Sequence, residues 1–277
     1  MDTVICRNCG NKFTGKYCNI CGEKAYDEKD RSVMHLVGEG LHFITHFEGT
    51  FLTTLKSVLF KPGQLSEDYC NGIRKRYFKP LSFFLMLVII YLLFPLFNGL
   101  NQILYAHMQQ SVYGKFATKE VTKIIATGKI DYDTLADAFH HKAEQISKFL
   151  LFILIPVMAC FSWLLGYRKR SLYYDHFIFS IEAVSVLILW GFLICPVILF
   201  SISPLLPADF FETELYTGII MGGGFAIFVA TAARRFFNFK RWYSMLYALL
   251  YTFCLMLFVQ FVYKLILFYI AIHLVKV

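Results

Sequence analysis

The apolar positions of this chain fall into five long runs separated by polar stretches. The runs cover residues 81–97, 149–167, 176–200, 215–233 and 243–272. Each run is close to the roughly 20 apolar residues that a helix needs to cross the hydrocarbon core of a bilayer. The pattern therefore predicts an all-α integral membrane protein, with a bundle of about five transmembrane helices at 80–277. A polar excursion at 98–147 separates the first two spans.

The composition supports a membrane protein. Of the 277 residues, 57% are hydrophobic and 17% are charged, whereas soluble domains average about 25% charged residues. The net charge is +8, and in a membrane protein such an excess belongs to cytoplasmic loops rather than to a nucleic-acid surface. We therefore expect the lipid bilayer, and no nucleic acid, as a partner. The first 30 residues lack a cationic start followed by an apolar core, so we expect no signal peptide.

The positions of the basic residues predict the orientation of the bundle. Lys and Arg are concentrated at 74–79, 168–170 and 234–241, whereas the loop at 201–214 carries acidic charges alone. Loops rich in Lys and Arg stay in the cytoplasm. The sequence thus predicts a multi-pass protein of a bacterial cytoplasmic (inner) membrane, with its N-terminus in the cytoplasm and its C-terminus outside.

Four cysteines near the N-terminus have the spacing of a metal site, C-x2-C-x8-C-x2-C. They are Cys6, Cys9, Cys18 and Cys21. Two CxxC turns can place four thiolates around one ion in the tetrahedral arrangement that zinc prefers; a pair of disulfides is the alternative. We predict one structural zinc per chain in a ribbon at 1–24. A closed site of this kind has no open position for substrate, so the ribbon is expected to dock a cytosolic protein partner.

Residues 25–79 are predicted to form a linker followed by amphipathic interfacial helices. Apolar residues at 47–60 have helical spacing, and Lys61, Pro62 and Gly63 end that helix. Within this segment, four polar residues spaced by four, three and four share one helix face: His35, Glu39, His42 and His46. Stacked imidazoles and a carboxylate can hold a metal or relay protons; a polar helix face on the membrane surface is the alternative.

The third predicted span carries the other candidate site residues. Asp175 and His176 open it, and Glu182 follows Asp175 by one heptad. A carboxylate two turns into a membrane helix is costly, so it must be protonated, paired, or facing water or a metal. The candidate partners at the cytoplasmic helix ends are Arg168, Arg234 and Arg235. A functional role for Glu182 and a buried structural pair both remain open.

The fourth span carries small residues at intervals of four. They are Gly218, Gly222, Ala226 and Ala230. Such a stripe is typical of close helix packing. Three consecutive glycines at 222–224 also permit the broken helix of a transporter substrate site.

Several of these motifs, taken together, resemble an uncharacterised family of bacterial membrane proteins. The family has an N-terminal zinc ribbon and Yip-like transmembrane helices. The resemblance rests on the stretches at 46–55, 62–63 and 72–80, and on the acid–His pair Asp175-His176. It implies a fold and a membrane location, and it carries no established activity.

We therefore expect a non-enzymatic protein that transports or organises a small solute, ion or lipid, and that forms a homo-oligomer or scaffolds partners. The sequence contains no nucleotide-binding loop, HExxH motif or nucleophile elbow. The alternative is a metal-dependent enzyme at the membrane interface, with a site gathered from His42, His46, Asp175 and His176.

Overall fold

The computed structural model of the protein describes residues 3–25, 32–33, 50–94, 100–126, 130–202 and 214–275, with side chains from 218 onward in the last segment. Four of the predicted site residues therefore lie outside the described residues. They are His35, Glu39, His42 and His46.

The N-terminal ribbon is a two-stranded hairpin. Strand β1 (Val4–Ile5) pairs antiparallel with β2 (Lys12–Phe13), with Val4 opposite Phe13. Its buried centre consists of Cys6, Phe13 and Cys18. So small a core cannot hold a fold by itself, and segments of this size depend on a metal or on disulfides.

Three helices follow in the next described segment: α1 (Thr50–Phe60), α2 (Gln64–Cys70) and α3 (Pro80–Leu93). Gly63 has φ 78°, a left-handed conformation that glycine adopts without steric cost, and it turns the chain from α1 into α2. Pro80 begins α3, where its missing N–H is not needed and its fixed φ suits a helix.

Two short helices and four long ones complete the described chain. The short helices are α4 (Leu104–Gln109) and α5 (Gly114–Ala126). The long ones are α6 (Tyr132–Gly166), α7 (Tyr173–Ile202), α8 (Glu214–Phe236) and α9 (Arg241–Leu274). Among the described residues, four helices are long and apolar enough to cross a membrane. The predicted all-α integral membrane fold is thus confirmed.

The first two predicted spans differ from the helices observed. Helix α3 has 14 residues, which is about 21 Å at 1.5 Å per residue, short of a hydrocarbon core of about 30 Å. Residues 95–99 lie outside the description, so the fifth span stays a prediction. The second predicted span, at 149–167, is the C-terminal part of a longer helix, because α6 starts at Tyr132 and continues without a break to Gly166. No Gly or Pro interrupts the polar residues 132–148, so the helix propagates through them.

The chain divides into two compact units. The first comprises Met1–Phe94 and Ile155–Thr252. In this unit α2 and α3 pack against α7, and α8 packs against α2 and α7. Residues Leu187–Ile194 of α7 form a wider, π-helical segment just before Pro196.

The second unit comprises Pro95–Leu154 and Phe253–Val277. Helices α4 and α5 pack together. The ring of Phe268 on α9 lies 5.5 Å from that of His107 and 5.9 Å from that of Phe139. Tyr263 donates a hydrogen bond to the carbonyl of Ser147 at 2.8 Å. This unit is therefore organised around aromatic rings.

The glycine-rich part of α8 is helical. The helix runs unbroken through residues 222–224, so the alternative of a broken helix does not describe this segment. The closest approach lies beside the predicted stripe: a Cβ on Gly224 would lie 2.4 Å from Trp190 Nε1, whereas one on Gly218 or Gly223 would meet no atom within 4 Å. Gly224 is required because the indole of α7 occupies the space of a side chain.

This contact predicts different outcomes for two neighbouring substitutions. Gly224→Ala should destabilise the protein by about 1–3 kcal/mol, the usual cost of overpacking a well-packed contact. Gly223→Ala adds the same methyl group to the same helix in open space, so it should be neutral or stabilising because Ala is the better helix former. Thermal unfolding of both variants in detergent measures the difference. Equal effects of the two substitutions would contradict the packing of Trp190 against Gly224.

Candidate metal centre and buried carboxylate

The four N-terminal cysteines form one cluster. Their Sγ atoms all lie within 4.8 Å of one another, with Cys6 and Cys21 3.4 Å apart and Cys9 and Cys18 3.6 Å apart. All four are free thiols, so the alternative of two disulfides does not describe them. A tetrahedral ion with bonds of about 2.3 Å would separate its sulfur ligands by about 3.8 Å. The cluster therefore fits a metal ion of that size.

The two CxxC turns repeat one pattern of backbone hydrogen bonds. Gly10 N–H donates to the carbonyl of Cys6 at 2.9 Å, and Gly22 N–H donates to that of Cys18 at 2.8 Å. Both glycines have positive φ, 75° and 70°, which a residue with a Cβ adopts only with strain. The glycines after each second cysteine thus let each turn fold its two thiols toward the same point.

Hydrogen bonds from backbone N–H groups lower the pKa values of two thiols in the cluster. The N–H of Cys21 lowers the pKa of the Cys18 thiol to about 6, and the N–H of Glu23 lowers that of Cys21. The N–H of Asn11 acts in the same direction on Cys9, but desolvation and the neighbouring thiols raise its pKa to about 12. Thiolates this close repel one another, and a divalent cation removes that repulsion. The donor set is that of a closed thiolate site, which holds structure rather than substrate.

The ribbon is bound to the segment between α2 and α3. Glu23 is 5% exposed, and its Oε2 accepts hydrogen bonds from the N–H groups of Arg74 at 3.2 Å and Lys75 at 2.7 Å. Arg7 Nη1 donates to the carbonyl of Asn71 at 2.8 Å. Sequence reasoning missed Glu23; the available signal was an acid directly after the second CxxC pair and a basic cluster further along the chain.

Glu182 of α7 binds the start of α2. The side chain is 1% exposed. Oε1 accepts from Gly63 N–H at 2.9 Å, and Oε2 accepts from Ser66 N–H at 2.9 Å and from the Ser66 hydroxyl. Gly63 has no side chain to cap α2, and the first N–H groups of any helix lack partners within it. Glu182 therefore supplies the missing cap from another helix. We call Glu182, Gly63 and Ser66 the carboxylate joint.

Helix α8 contacts the Pro62-Gly63 turn, next to the carboxylate joint. A Cβ on Gly63 would lie 2.5 Å from the backbone oxygen of Ala232, so the chain of the turn touches the chain of α8. Arg235 Nη1 donates to the carbonyl of Pro62 at 3.3 Å. An arginine does come to this place, as the sequence suggested, but it binds Pro62, and Glu182 takes its hydrogen bonds from Gly63 and Ser66.

Asp175 and His176 belong to a separate network. Asp175 forms an ion pair with Arg170 at 3.1 Å. His176 Nε2–H donates to the Arg170 carbonyl at 2.8 Å, which leaves Nδ1 to accept from the Ser162 hydroxyl at 2.8 Å. The Ser162 oxygen lies 2.8 Å from the Tyr247 hydroxyl. Both nitrogens of His176 are thus engaged by the protein.

The predicted second metal site gains no support from the described residues. In the part of the chain that the structure describes, the four cysteines are the one group of three or more side chains arranged to hold a metal. His35, Glu39, His42 and His46 lie outside it. The metal-dependent enzyme therefore stays a prediction without a described site.

Comparison with known proteins agrees with this description. The sequence profile of a family described as "Protein of unknown function (DUF3667)" matches residues 48–92, which include α1, α2 and all but the last residue of α3. The segment is thus similar to a family without an assigned activity, and it contains the Pro62-Gly63 turn that Glu182 and α8 contact. No curated protein and no solved structure matches the chain.

The cysteine cluster and Glu23 should be separable by mutation. Cys9→Ser should remove the metal, because the site then lacks one thiolate ligand. Glu23→Gln should retain one metal ion per chain but weaken the ribbon's attachment, because a charged acceptor of two hydrogen bonds becomes neutral. Metal content measures the first effect, and limited trypsin cleavage at Arg74 and Lys75 measures the second.

Glu67→Gln is the matched control for this experiment, since it neutralises another glutamate of the same unit that does not bind the ribbon. Its metal content and cleavage should equal those of the wild type. Loss of metal in Glu23→Gln, or cleavage no faster than in Glu67→Gln, would contradict the attachment described here.

A double-mutant cycle tests the carboxylate joint. Ser66→Ala should cost about 1–3 kcal/mol by removing a donor to a buried carboxylate. Glu182→Met leaves two buried N–H groups without an acceptor and should cost more. Because both variants break the same hydrogen bond, the double variant should cost less than the sum by about 1 kcal/mol or more.

Ser162→Ala provides the control for the cycle, because Ser162 binds His176 and not Glu182. Its cost should add fully to that of Glu182→Met in unfolding measurements. Additive costs for Ser66→Ala and Glu182→Met would show that the two residues do not interact.

Proposed function

We propose that this protein is a non-enzymatic, multi-pass protein of a bacterial inner membrane that organises partners at the cytoplasmic face. Its N-terminal ribbon, with one structural zinc, orders that face and docks a cytosolic protein. The observation that carries the proposal is the use of Glu182. Its carboxylate holds α2 to α7 through three hydrogen bonds, which is a structural task.

The burial and the hydrogen bonds of Glu182 favour a role in organising partners over a role in transport. A carboxylate that carries an ion or proton must exchange its partner with water during each cycle. Glu182 is 1% exposed, and two of its three hydrogen bonds come from main-chain N–H groups at the start of α2, which leave the carboxylate only if that part of the helix moves. A scaffold uses such a rigid contact, whereas a transport site has to break it repeatedly.

The ribbon supports a docking role. Its own contacts, through Glu23 and Arg7, order the segment between α2 and α3. Large apolar side chains nevertheless remain exposed on it, including Ile5, Tyr17 and Ile20, the last 70% exposed. Apolar groups of this size in so short a segment are typical of a surface that a protein partner covers.

Zinc and the cytoplasmic N-terminus belong to the same proposal. Thiols stay reduced in the cytosol, and a set of four thiolates selects zinc among common divalent ions. The basic clusters at 74–79, 168–170 and 234–241 support a cytoplasmic location for the side of the membrane on which they lie. Open space at Gly218 on α8 supports a homo-oligomer, because a small residue lets a second copy of the helix approach closely.

Flux measurements test this proposal against transport. The wild type, Glu182→Gln and Glu67→Gln are reconstituted into liposomes with a trapped pH dye, and proton flux is followed under an imposed potential, with Na⁺ or K⁺ added in turn. Organisation predicts no flux above that of protein-free liposomes for any of the three proteins, together with lower thermal stability for Glu182→Gln. Flux in the wild type and Glu67→Gln that disappears in a fully stable Glu182→Gln would establish transport instead.

A further inference from the structure

A cleft of about 650 Å³ lies where α6 ends and α9 begins. Its apolar wall includes Leu164 and Leu165 from the end of α6, and Trp242 and Tyr243 from the start of α9. All of these residues belong to the first compact unit. Among the described residues, those that line the cleft are not the ones that form the hydrogen bonds of the ribbon or of the carboxylate joint.

The rim of the cleft is cationic. Arg168, Lys169 and Lys240 line it, and no Asp or Glu is among the described residues that do. All three side chains are exposed. Arg168 Nε donates to the hydroxyl of Tyr167 at 3.4 Å. Within the described chain no ion pair engages Lys169 or Lys240. Three cationic side chains therefore share one opening.

The cleft is preformed by its turn and its aromatic rings. Asn238 has φ 53°, a left-handed conformation that asparagine tolerates better than most residues, and it precedes Phe239 and Lys240 on the cleft. The ring of Phe239 lies edge-on to that of Tyr243, 4.6 Å between centroids. This packing fixes the turn beside the start of α9 and thereby the backbone position of Lys240.

The location of the cleft fits the membrane interface. Helices α6 and α9 are both long enough to span a membrane, and the cleft lies at one end of each. Trp and Tyr are enriched at the level of lipid headgroups, and Trp242 is 64% exposed there. Basic pockets between membrane helices are suited to anionic headgroups.

We propose that this cleft binds an anionic phospholipid. Arg168, Lys169 and Lys240 take the headgroup phosphate, and an acyl chain lies along Leu164, Leu165 and Trp242. A soluble phosphate compound would use the cations and leave the apolar wall exposed to water, whereas a phospholipid covers both. The inference requires the membrane fold alone, and it holds whether the protein organises partners or transports a solute.

Fluorescence of Trp242 gives a local readout. The chain has three tryptophans, so Trp163→Phe/Trp190→Phe leaves Trp242 as the sole one. This protein is reconstituted into bilayers with increasing fractions of brominated phosphatidylglycerol or brominated phosphatidylcholine, whose bromines quench a nearby indole. Quenching by brominated phosphatidylglycerol should reach half its maximum at a roughly tenfold lower mole fraction than quenching by brominated phosphatidylcholine. The reason is that three cations near the headgroups each add to the attraction for the anionic lipid.

Charge variants in the same single-tryptophan background distinguish lipid binding in the cleft from a general electrostatic attraction to the whole protein. Arg168→Gln/Lys169→Gln/Lys240→Gln should reduce the preference to within about twofold. Lys115→Gln/Lys119→Gln/Lys142→Gln removes the same charge from exposed positions of the other unit and should keep the preference. Lys169→Arg/Lys240→Arg preserves the charge and should keep it as well.

Three results would overturn the proposal. Equal quenching by the two lipids in the starting protein would show that the cleft does not select anionic lipid. An equal loss in the two glutamine triple variants would assign the preference to the net charge of the protein. Full recovery of fluorescence on adding inorganic phosphate would show that the cleft takes free phosphate rather than a lipid. None of these results bears on whether Glu182 is structural, so the two proposals are tested independently.

Discussion

The carboxylate of Glu182 and the first N–H groups of α2 each supply the hydrogen-bonding partner that the other lacks. A buried carboxylate is unfavourable unless several donors surround it, and the first N–H groups of a helix are unfavourable when buried without acceptors. Gly63 and Ser66 bring the donors and Glu182 brings the acceptor. Because two of the three donors are main-chain N–H groups, the position of the whole helix, as well as the Ser66 side chain, is tied to α7.

A second glutamate repeats this arrangement at the other end of the same segment. Glu23 of the ribbon accepts the consecutive N–H groups of Arg74 and Lys75, as Glu182 accepts those of Gly63 and Ser66. The chain from 63 to 75 is therefore held by the long helices at its start and by the ribbon at its end. This segment lies inside the stretch similar to a family of unknown function. A metal ion held by the four cysteines would stabilise the ribbon that carries Glu23, and Glu23 connects the ribbon to the helices through its two hydrogen bonds.

The sequence predicted those features that depend on spacing or on sustained hydropathy. The two CxxC pairs indicated the cysteine cluster, because the turn geometry is local. Four of the five apolar runs correspond to helices long enough to cross a membrane. The continuity of α6 was not predicted, because hydropathy separates the polar residues before Lys148 from the apolar ones after it, whereas a helix propagates through both. The role of Gly224 was likewise hidden, since it depends on where Trp190 of another helix lies.

The partners of Glu182 show the main limit of sequence reasoning. The cost of its burial could be read from the surrounding apolar residues, but its partners were sought among arginines, because side-chain charges are visible in a sequence and backbone donors are not. One local signal did exist, since α2 begins after a glycine that cannot cap it. Hydrogen exchange at the amides of Gly63 and Ser66, followed by mass spectrometry, tests the joint most directly. Our account predicts slow exchange in the wild type and fast exchange in Glu182→Met, with α3 unchanged in both. Equally slow exchange at these two amides in Glu182→Met, or fast exchange in the wild type, would contradict it.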